Sequence, residues 1–194
     1  MPWEKSFDLD DATDKAAAVF WAKGYEATSI SDLVAAMGIN KGSLYNAFGD
    51  KRRLFIRALT RYDAKRRSSW MAGLEQMNDP VAAIGAFFDR IVEQSCSEMS
   101  ARGCFIVNTA LEAPQQTPAV QQLVAASLAD IQAFFRRSIE RGKAAGEIDT
   151  ALEADEVAKT MVALMMGMRV LSRTGVAHDD LAAMRAQALR LLIP

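Results

Sequence analysis

Apolar residues recur three and four positions apart along most of this sequence, which is the spacing of one face of an α-helix. The pattern predicts helices at about 10–23, 30–37, 41–48, 51–77, 80–101, 104–113, 120–145, 153–173 and 178–192. Glycine or proline stands at most of the boundaries, and alanine, the strongest helix former, occurs 34 times. Because the strict alternation of a half-buried strand is absent from the sequence, we expect an all-α fold.

Two of these predicted helices are short, adjacent and joined by a tight turn. Ser29 precedes the first, and Asp32 follows three positions later, as in a capping box. Gly38 ends the first helix, and the helix at 10–23 stands before both as a support. This arrangement, over about 29–48, is typical of a helix-turn-helix, whose second helix enters the major groove of DNA.

The second short helix has one apolar face and one face of short or hydrogen-bonding side chains. Leu44, Ala47 and Phe48 are expected to pack inward. The opposite face carries Lys41, Gly42, Ser43, Tyr45 and Asn46. An ordinary pair of packing helices is the alternative, but it does not explain why this face lacks the long charged side chains that are usual on a solvated helix.

Charge is unevenly distributed, although the formal net charge is only −1. Between Lys41 and Arg67, nine basic residues stand against two acidic ones, a balance of +7 in 27 residues. Such a run is either a solvated basic helix face or a surface for nucleic-acid phosphates. The run begins at the polar face of the second short helix, and this position favours the phosphate interpretation.

At these positions the sequence resembles the TetR (tetracycline-repressor-like) family of transcriptional regulators. The matching pattern is Gly24-Tyr25-x-x-Thr28-Ser29-Ile30-x-x-Leu33, then Met37-Gly38-Ile39-x-Lys41-Gly42-Ser43-Leu44-Tyr45-x-x-Phe48-x-x-Lys51-x-x-Leu54. Ala47 departs from it, since many members carry a histidine there. The resemblance implies a three-helix, helix-turn-helix DNA-binding domain at 6–66, followed by an effector-binding and dimerisation domain at 67–194.

The resemblance also implies how DNA is bound. The implied phosphate contacts are Thr28 or Ser29 at a helix N-terminus, the phenol of Tyr45, and Lys51 in the first turn of the next helix. The implied base contacts are Lys41, Gly42 and Asn46, with Ser43 in either role. The expected partner is a palindromic double-stranded DNA operator, because a homodimer presents two copies of the second short helix.

The last two predicted helices are apolar around more than one face, which indicates burial on two sides. The resemblance implies that they form a four-helix dimer interface with their copies. The predicted interface residues are Val157, Met161, Leu164, Met168, Leu171, Leu181, Met184 and Leu189. Ordinary core packing within one chain is the alternative for each of them.

The helices between about 80 and 145 are expected to enclose the effector cavity that such regulators usually possess. The predicted contacts are Phe87, Phe88, Phe105, Asn108 and Phe134, with Trp70, Met99 and Phe135 as further candidates. Plain core packing is the alternative for each. Because few charged residues occur in these helices, the expected effector is a small apolar or weakly polar molecule.

Cys104 follows Arg102 and Gly103 at the start of a predicted helix. A guanidinium and a helix N-terminus both favour the reactive thiolate, and some TetR-like regulators detect electrophiles or oxidants with a cysteine in a similar Arg-Gly-Cys setting. The alternative is a small buried hydrophobic residue. Cys96 is predicted to be core. The single histidine, His178, reads as a helix-start residue, and no metal site is expected.

These features favour a ligand-responsive repressor over two alternatives, a constitutive or architectural helix-turn-helix DNA binder without effector and an enzyme. An enzyme is disfavoured because the sequence has no nucleophile elbow, glycine-rich phosphate loop or carboxylate pair, and no cofactor is expected. The N-terminal residues lack the apolar core of a signal peptide, and no apolar run reaches the ~18 residues of a membrane span. We therefore expect a cytoplasmic protein without membrane association.

Overall fold

In a computed structural model of the chain, residues 7–95, 102–112 and 117–193 are described. They form α1 (Leu9–Lys23), α2 (Ile30–Met37), α3 (Lys41–Phe48), α4 (Lys51–Arg66), α5 (Ala72–Glu75), α6 (Pro80–Ser95), α7 (Phe105–Leu111), α8 (Pro118–Ala145), α9 (Ala154–Leu171) and α10 (His178–Arg190). A π-helical segment, Arg67–Met71, joins α4 to α5. No strand occurs within these ranges, and the predicted all-α fold is confirmed.

Side-chain caps determine where the first four helices begin. Asp8, Ser29, Asn40 and Asp50 precede α1, α2, α3 and α4, and each accepts a hydrogen bond from a backbone N–H in the following turn. These bonds satisfy amide groups that have no partner inside the helix. Ser29 and Asp32 form the predicted reciprocal capping box. The caps are local in sequence, so they define the short α2 and α3 without help from distant residues.

The turn between α2 and α3 depends on Gly38. Its φ of +67° lies in the left-handed region, which strains residues that carry a Cβ. A Cβ built at Gly38 meets nothing within 4 Å, so the requirement for glycine comes from the backbone and not from crowding. This turn sets the angle at which α3 leaves α2.

Helices α1 to α4 pack around a shared apolar core. Phe20, Leu33, Leu44 and Phe55, one from each helix, are at most 1% exposed. The rings of Phe20 and Phe55 meet edge to face with their centroids 5.0 Å apart. Because this core holds one side of α3, the other side of that helix must face outward.

A buried polar network ties α4 to α8. Asp63 Oδ1 accepts hydrogen bonds from Arg66 NH2 at 2.7 Å and from the Ser127 hydroxyl at 2.6 Å. Asp63 and Arg66 are 5% and 8% exposed, and Ser127 is 1% exposed. The π-helical segment follows directly after this ion pair. The helix predicted at 51–77 is thus observed as α4, the π-helical segment and α5 in succession. Its hydrogen bonds change from the α to the π pattern next to the network that contacts α8.

Helices α6, α8, α9 and α10 make up most of the second half of the described chain. Between α6 and α8 lies an aromatic cluster with ring centroids 4.7–5.7 Å apart, formed by Phe87, Phe88, Phe134 and Phe135.

Cys96 and Met99, named above as core and cavity candidates, lie outside the described residues. None of the described helices is both long and apolar enough to cross a bilayer.

Candidate nucleic-acid interface and ligand cavity

Helix α3 presents a polar face to solvent. Lys41, Gly42, Tyr45 and Asn46 are exposed, whereas Leu44 is fully buried. Tyr45 is 41% exposed, and the Lys41 ammonium lies 6.0 Å from the centroid of its ring. Lysine and asparagine carry the hydrogen-bonding groups that match guanine and adenine edges in the major groove. The geometry therefore places these groups together on one side of an eight-residue helix.

Lys51 begins α4, just after this helix. Its ammonium lies 4.4 Å from the centroid of the Tyr25 ring and 3.4 Å from the carbonyl oxygen of Glu26. Both contacts belong to the loop that leads to Ser29, the exposed N-cap of α2. A cation and a helix N-terminus are each suited to bind a phosphate.

Two of the implied DNA contacts, Thr28 and Ser43, have buried side chains. Thr28 is 1% exposed, and its hydroxyl donates to the Gly24 carbonyl oxygen at 2.6 Å. Ser43 is 6% exposed and lies beside Leu44 on the covered side of α3. In this conformation the Thr28 hydroxyl, in the loop before α2, is engaged with the backbone, and Ser43 is covered because the apolar residues of α3 set the rotation of that helix.

The basic run divides into two parts. In its C-terminal part, Arg57 and Arg61 pair with Asp10 at 3.4 and 2.8 Å, and Lys65 pairs with Asp14 at 2.6 Å. These cations are neutralised by α1 and are not a phosphate surface. The cations at or beside α3 are Lys41, Lys51, Arg52 and Arg53. The phosphate interpretation of the run therefore applies to its first part alone.

A cavity of about 350 Å³ lies between α1, α4, the π-helical segment, α6, α9 and the residues just before α7. This volume is in the range that accommodates small organic ligands. Part of the lining is apolar and aromatic, from Ala17, Ala18, Trp21, Tyr62 and Trp70. The rest is polar or charged, from Asp14, Lys65, Arg66, Ser69, Arg90, Gln94, Arg102, Cys104 and Arg169.

The predicted effector contacts fall in different places. Cys104 lines the 350 Å³ cavity, and Phe105 and Asn108 line a smaller cavity of about 150 Å³. Asn108 is held there by a hydrogen bond from its Nδ2 to the Arg102 carbonyl oxygen at 2.7 Å. The aromatic cluster, which neither cavity includes, contains the other three, Phe87, Phe88 and Phe134.

Cys104 is held firmly at its place in the cavity wall. It is the N-cap residue of α7 and is 9% exposed, and the Tyr62 hydroxyl donates to its Sγ at 3.7 Å. Burial, and then the neighbouring Cys104, raise the pKa of Tyr62 above its ordinary value, so the phenol stays protonated as a donor. Gly103 has a φ of +63°, and a Cβ there would meet Arg173 Cδ at 2.6 Å.

The predicted interface residues divide into two groups. Met161, Met168 and Leu181 are at most 1% exposed within the single chain, so they belong to its own core. The partly exposed residues are Val157, Leu164, Leu171, Met184 and Leu189. Three of these, at 157, 164 and 171, recur every seven positions along α9, which places them on one stripe of the helix.

Sequence reasoning missed the charged lining of the cavity. Its four arginines come from α4, from α6, from α9 and from the residues before α7, which are far apart in the chain. One signal was available, because Arg169 is the sole charged residue in the apolar stretch 161–171. A lone charge on an otherwise apolar helix face usually marks a buried partner or a ligand.

Two family descriptions match the chain. Residues 12–58 match "Bacterial regulatory proteins, tetR family", and residues 80–189 match "Tetracyclin repressor-like, C-terminal domain". The HTH-type transcriptional repressor ComR of Escherichia coli K12 is 29% identical over 188 residues, which are 96% of this chain and 90% of ComR. Similarity therefore extends over both halves of the chain.

Solved structures agree with these matches. The TetR family transcriptional regulator CifR, solved as a cysteine mutant in complex with 26-bp double-stranded operator DNA, is 31% identical, with a TM-score of 0.83. The alignment covers 95% of this chain and 97% of CifR. A TetR transcriptional regulator from Chloroflexus aurantiacus is 30% identical, with a TM-score of 0.83 and coverage of 92% and 90%. This chain belongs to the TetR family of bacterial transcriptional regulators.

Proposed function

We propose that this protein is a homodimeric transcriptional repressor that binds a palindromic DNA operator and leaves it when a small molecule occupies the 350 Å³ cavity. The observation that carries the proposal is the exposed polar face of α3, with cations at both of its ends. ComR is named a repressor, and CifR was solved with operator DNA, which supports the same role here.

Each exposed group on α3 has a distinct task in this proposal. Lys41 donates to guanine and Asn46 bonds to adenine in the major groove, and Gly42 lets the helix backbone come close to the bases. Tyr45 and Lys51 bind phosphates, which position the protein without selecting a sequence. The backbone N–H groups behind Ser29 add the positive end of α2.

Dimerisation is proposed to use the partly exposed stripe of α9. Val157, Leu164 and Leu171 are half-buried in the single chain and would be covered by a second copy. Gly167 lies between them in sequence, is exposed, and has nothing within 4 Å of a built Cβ, so a facing helix can approach closely there. Two-fold symmetry then matches a palindromic operator.

Release is proposed to act through α1, since this helix lines the cavity and also packs against α2. An electrophile or oxidant at Cys104 is a second way to act at the same place, because the thiol lies in the cavity wall beside the Tyr62 donor. Both routes change the contacts of α1 with the rest of the chain, and a change there reaches α3.

The test first selects an operator by binding the wild-type protein to a library of random DNA sequences. Two alanine variants, Lys41→Ala and Lys51→Ala, are then compared on this operator and on its single-base variants. Lys51→Ala should weaken binding to all sequences alike. It should also reduce the slope of log affinity against log salt concentration by about 1, the value for one lost phosphate contact. Lys41→Ala should lose about 1–3 kcal/mol of discrimination at one base position and keep it elsewhere. Competition anisotropy at several salt concentrations measures both quantities.

Other outcomes would overturn parts of the proposal. If the wild type bound all DNA sequences with equal affinity, an architectural binder would be the better description. If Lys41→Ala weakened every operator variant equally, Lys41 would be a phosphate contact and the reading face would have to be reassigned. A half-site spacing other than about one helical turn, ~34–36 Å, or a little more on widened DNA, would contradict the dimer geometry.

A further inference from the structure

We propose that the 350 Å³ cavity binds an organic carboxylate with an apolar body, recognised by arginine side chains. This effector class rests on the proposed function above, in which a small molecule acts through the cavity. It differs from the apolar or weakly polar effector expected from the sequence, because the charged side chains come from elements that are distant along the chain.

The cavity lining carries a surplus of positive charge. Five of its residues are basic, and one, Asp14, is acidic. Two of the cations have carboxylate partners, since Lys65 pairs with Asp14 at 2.6 Å and Arg66 pairs with Asp63 at 2.7 Å. The other three, Arg90, Arg102 and Arg169, have no carboxylate partner among residues 7–95, 102–112 and 117–193.

The contacts of these arginines leave their charge uncompensated. Arg169 NH1 donates to the amide oxygen of Gln94 at 2.6 Å, and Arg90 lies 5.0 Å from the centroid of the Trp70 ring. Arg90 and Arg169 are only partly exposed. Arg102 is exposed, but holding the partly buried guanidiniums of Arg90 and Arg169 in one cavity lining without an anion is unfavourable, so we expect a ligand that supplies an anion to bind favourably.

An arginine–carboxylate ion pair on α6, outside the cavity, provides a comparison. Arg185 of α10 binds Asp89 through Nε and NH2, both at 2.9 Å, one residue before Arg90. At this junction of α10 and α6 the chain itself supplies the carboxylate. At the cavity, the guanidiniums of Arg90, Arg102 and Arg169 have no such carboxylate among the described residues. A planar guanidinium can bind a ligand carboxylate through two parallel hydrogen bonds.

The remaining lining favours a monoanion with an apolar body over a small inorganic anion. Ala17, Ala18, Trp21 and Trp70 supply apolar surface next to the arginines. The indole Nε1 of Trp21 is buried and finds no acceptor in the described part of the chain. A ligand with one carboxylate and a ring or short chain satisfies both kinds of surface.

The test uses three probes of one shape and different charge: naphthalene-2-carboxylate, its carboxamide and its carboxamidine. Calorimetric titration of the full chain should show the carboxylate binding at least about tenfold more tightly than the amide, with no measurable binding of the amidine. Added sodium chloride should weaken the carboxylate and leave the amide unchanged.

Variants locate the binding. Arg169→Gln and Arg90→Gln should each weaken the carboxylate at least about tenfold and leave the amide unchanged, while Arg169→Lys should lose less because the charge is kept. Arg136→Gln is the matched control, since Arg136 pairs with Glu140 at 3.0 Å on the exposed side of α8. Thermal unfolding of each variant shows that the fold is intact.

Equal affinity for carboxylate and amide, or no binding of any probe, would overturn the carboxylate proposal. Glu98, outside the described residues, is the carboxylate nearest to Arg102 in sequence. Glu98→Gln should leave carboxylate affinity unchanged, and a gain of tenfold or more would show that the chain supplies its own counter-charge.

Operator binding without ligand separates this proposal from the proposed function. Loss of sequence-specific operator binding would refute the proposed function, whereas the charge preference of the cavity is measured without DNA. Tight carboxylate binding that leaves operator affinity unchanged would support the cavity assignment and refute release by ligand.

Discussion

Replacing Asp63 with asparagine should strongly destabilise the protein. Asp63 accepts hydrogen bonds from Arg66 and Ser127, and Arg67 NH2 lies 3.3 Å from its second oxygen. In Asp63→Asn the Arg66 guanidinium, 8% exposed, keeps its charge and loses its counter-ion. Breaking a buried pair in this way costs about 3–5 kcal/mol, because the remaining charge is left desolvated.

The magnitude is large compared with the total stability of a typical domain, about 5–15 kcal/mol. At roughly 2–4 °C per kcal/mol for a chain of this size, the melting temperature should fall by about 10 °C. The assay is unfolding by heat and by urea with every variant at the same protein concentration, since the stability of the proposed dimer would depend on concentration.

A matched control distinguishes the effect of breaking a buried ion pair from the effect of breaking an exposed one. Asp130→Asn removes the 2.6 Å contact with Arg67 NH1, in which both side chains are about half exposed, and should cost less than about 1 kcal/mol. The double replacement Asp63→Leu with Arg66→Met removes both charges and should recover most of the lost stability. If Asp63→Asn were as mild as Asp130→Asn, or if the double variant were the least stable, the argument from desolvation would be refuted.

Three further predictions concern the dimer, the thiol and pH. Leu164→Glu should give monomers in sedimentation, because it places an unpaired carboxylate in the proposed α9 stripe; a soluble dimeric variant would move the interface elsewhere. Iodoacetamide should label Cys104 and weaken operator binding, and full labelling without that effect would leave Cys104 a core residue. The Lys23 ammonium, then the Ser29 N–H and hydroxyl, hold the pKa of Asp32 below its ordinary value. The stability lost in Asp32→Asn should therefore be full at neutral pH, shrink as pH falls below that ordinary value, and vanish only below the lowered pKa of the folded protein. A difference that does not shrink in acid would contradict this.

The features that were predicted from sequence are those fixed by neighbouring residues. The bounds of α2 and α3 follow from Ser29, Gly38 and Asn40, which act within one turn of themselves. The general polarity of the two faces of α3 also follows from spacing. The inward position of Ser43 does not, because over eight residues a small rotation about the helix axis decides whether a side chain at the border is covered.

The features that were missed depend on residues far apart in the chain. Arg61 and Asp14 are 47 positions apart, and no local pattern shows that their ion pair takes Arg61 out of the basic run. The π-helical segment is invisible to a search for helical spacing, since its five residues continue the same helix. The cavity draws on α1, α4, α6 and α9, so its charge could not be read from the helices between 80 and 145 alone.

The location of the cavity allows the energy needed for regulation to be compared with the contacts that could supply it. A hundredfold loss of operator affinity requires a ligand to favour one arrangement of the chain over the other by about 2.7 kcal/mol. A hydrogen bond to a charged group contributes about 1.5–3 kcal/mol, so one or two guanidinium–carboxylate contacts made in a single arrangement are sufficient. Arg90 and Arg169 belong to α6 and α9, whereas Trp21, which also lines the cavity, belongs to α1, which packs on α2. In the proposed function, a ligand that contacts both Trp21 and the arginines would act directly on α1, the helix that packs against the helix-turn-helix, without a more distant relay through the chain.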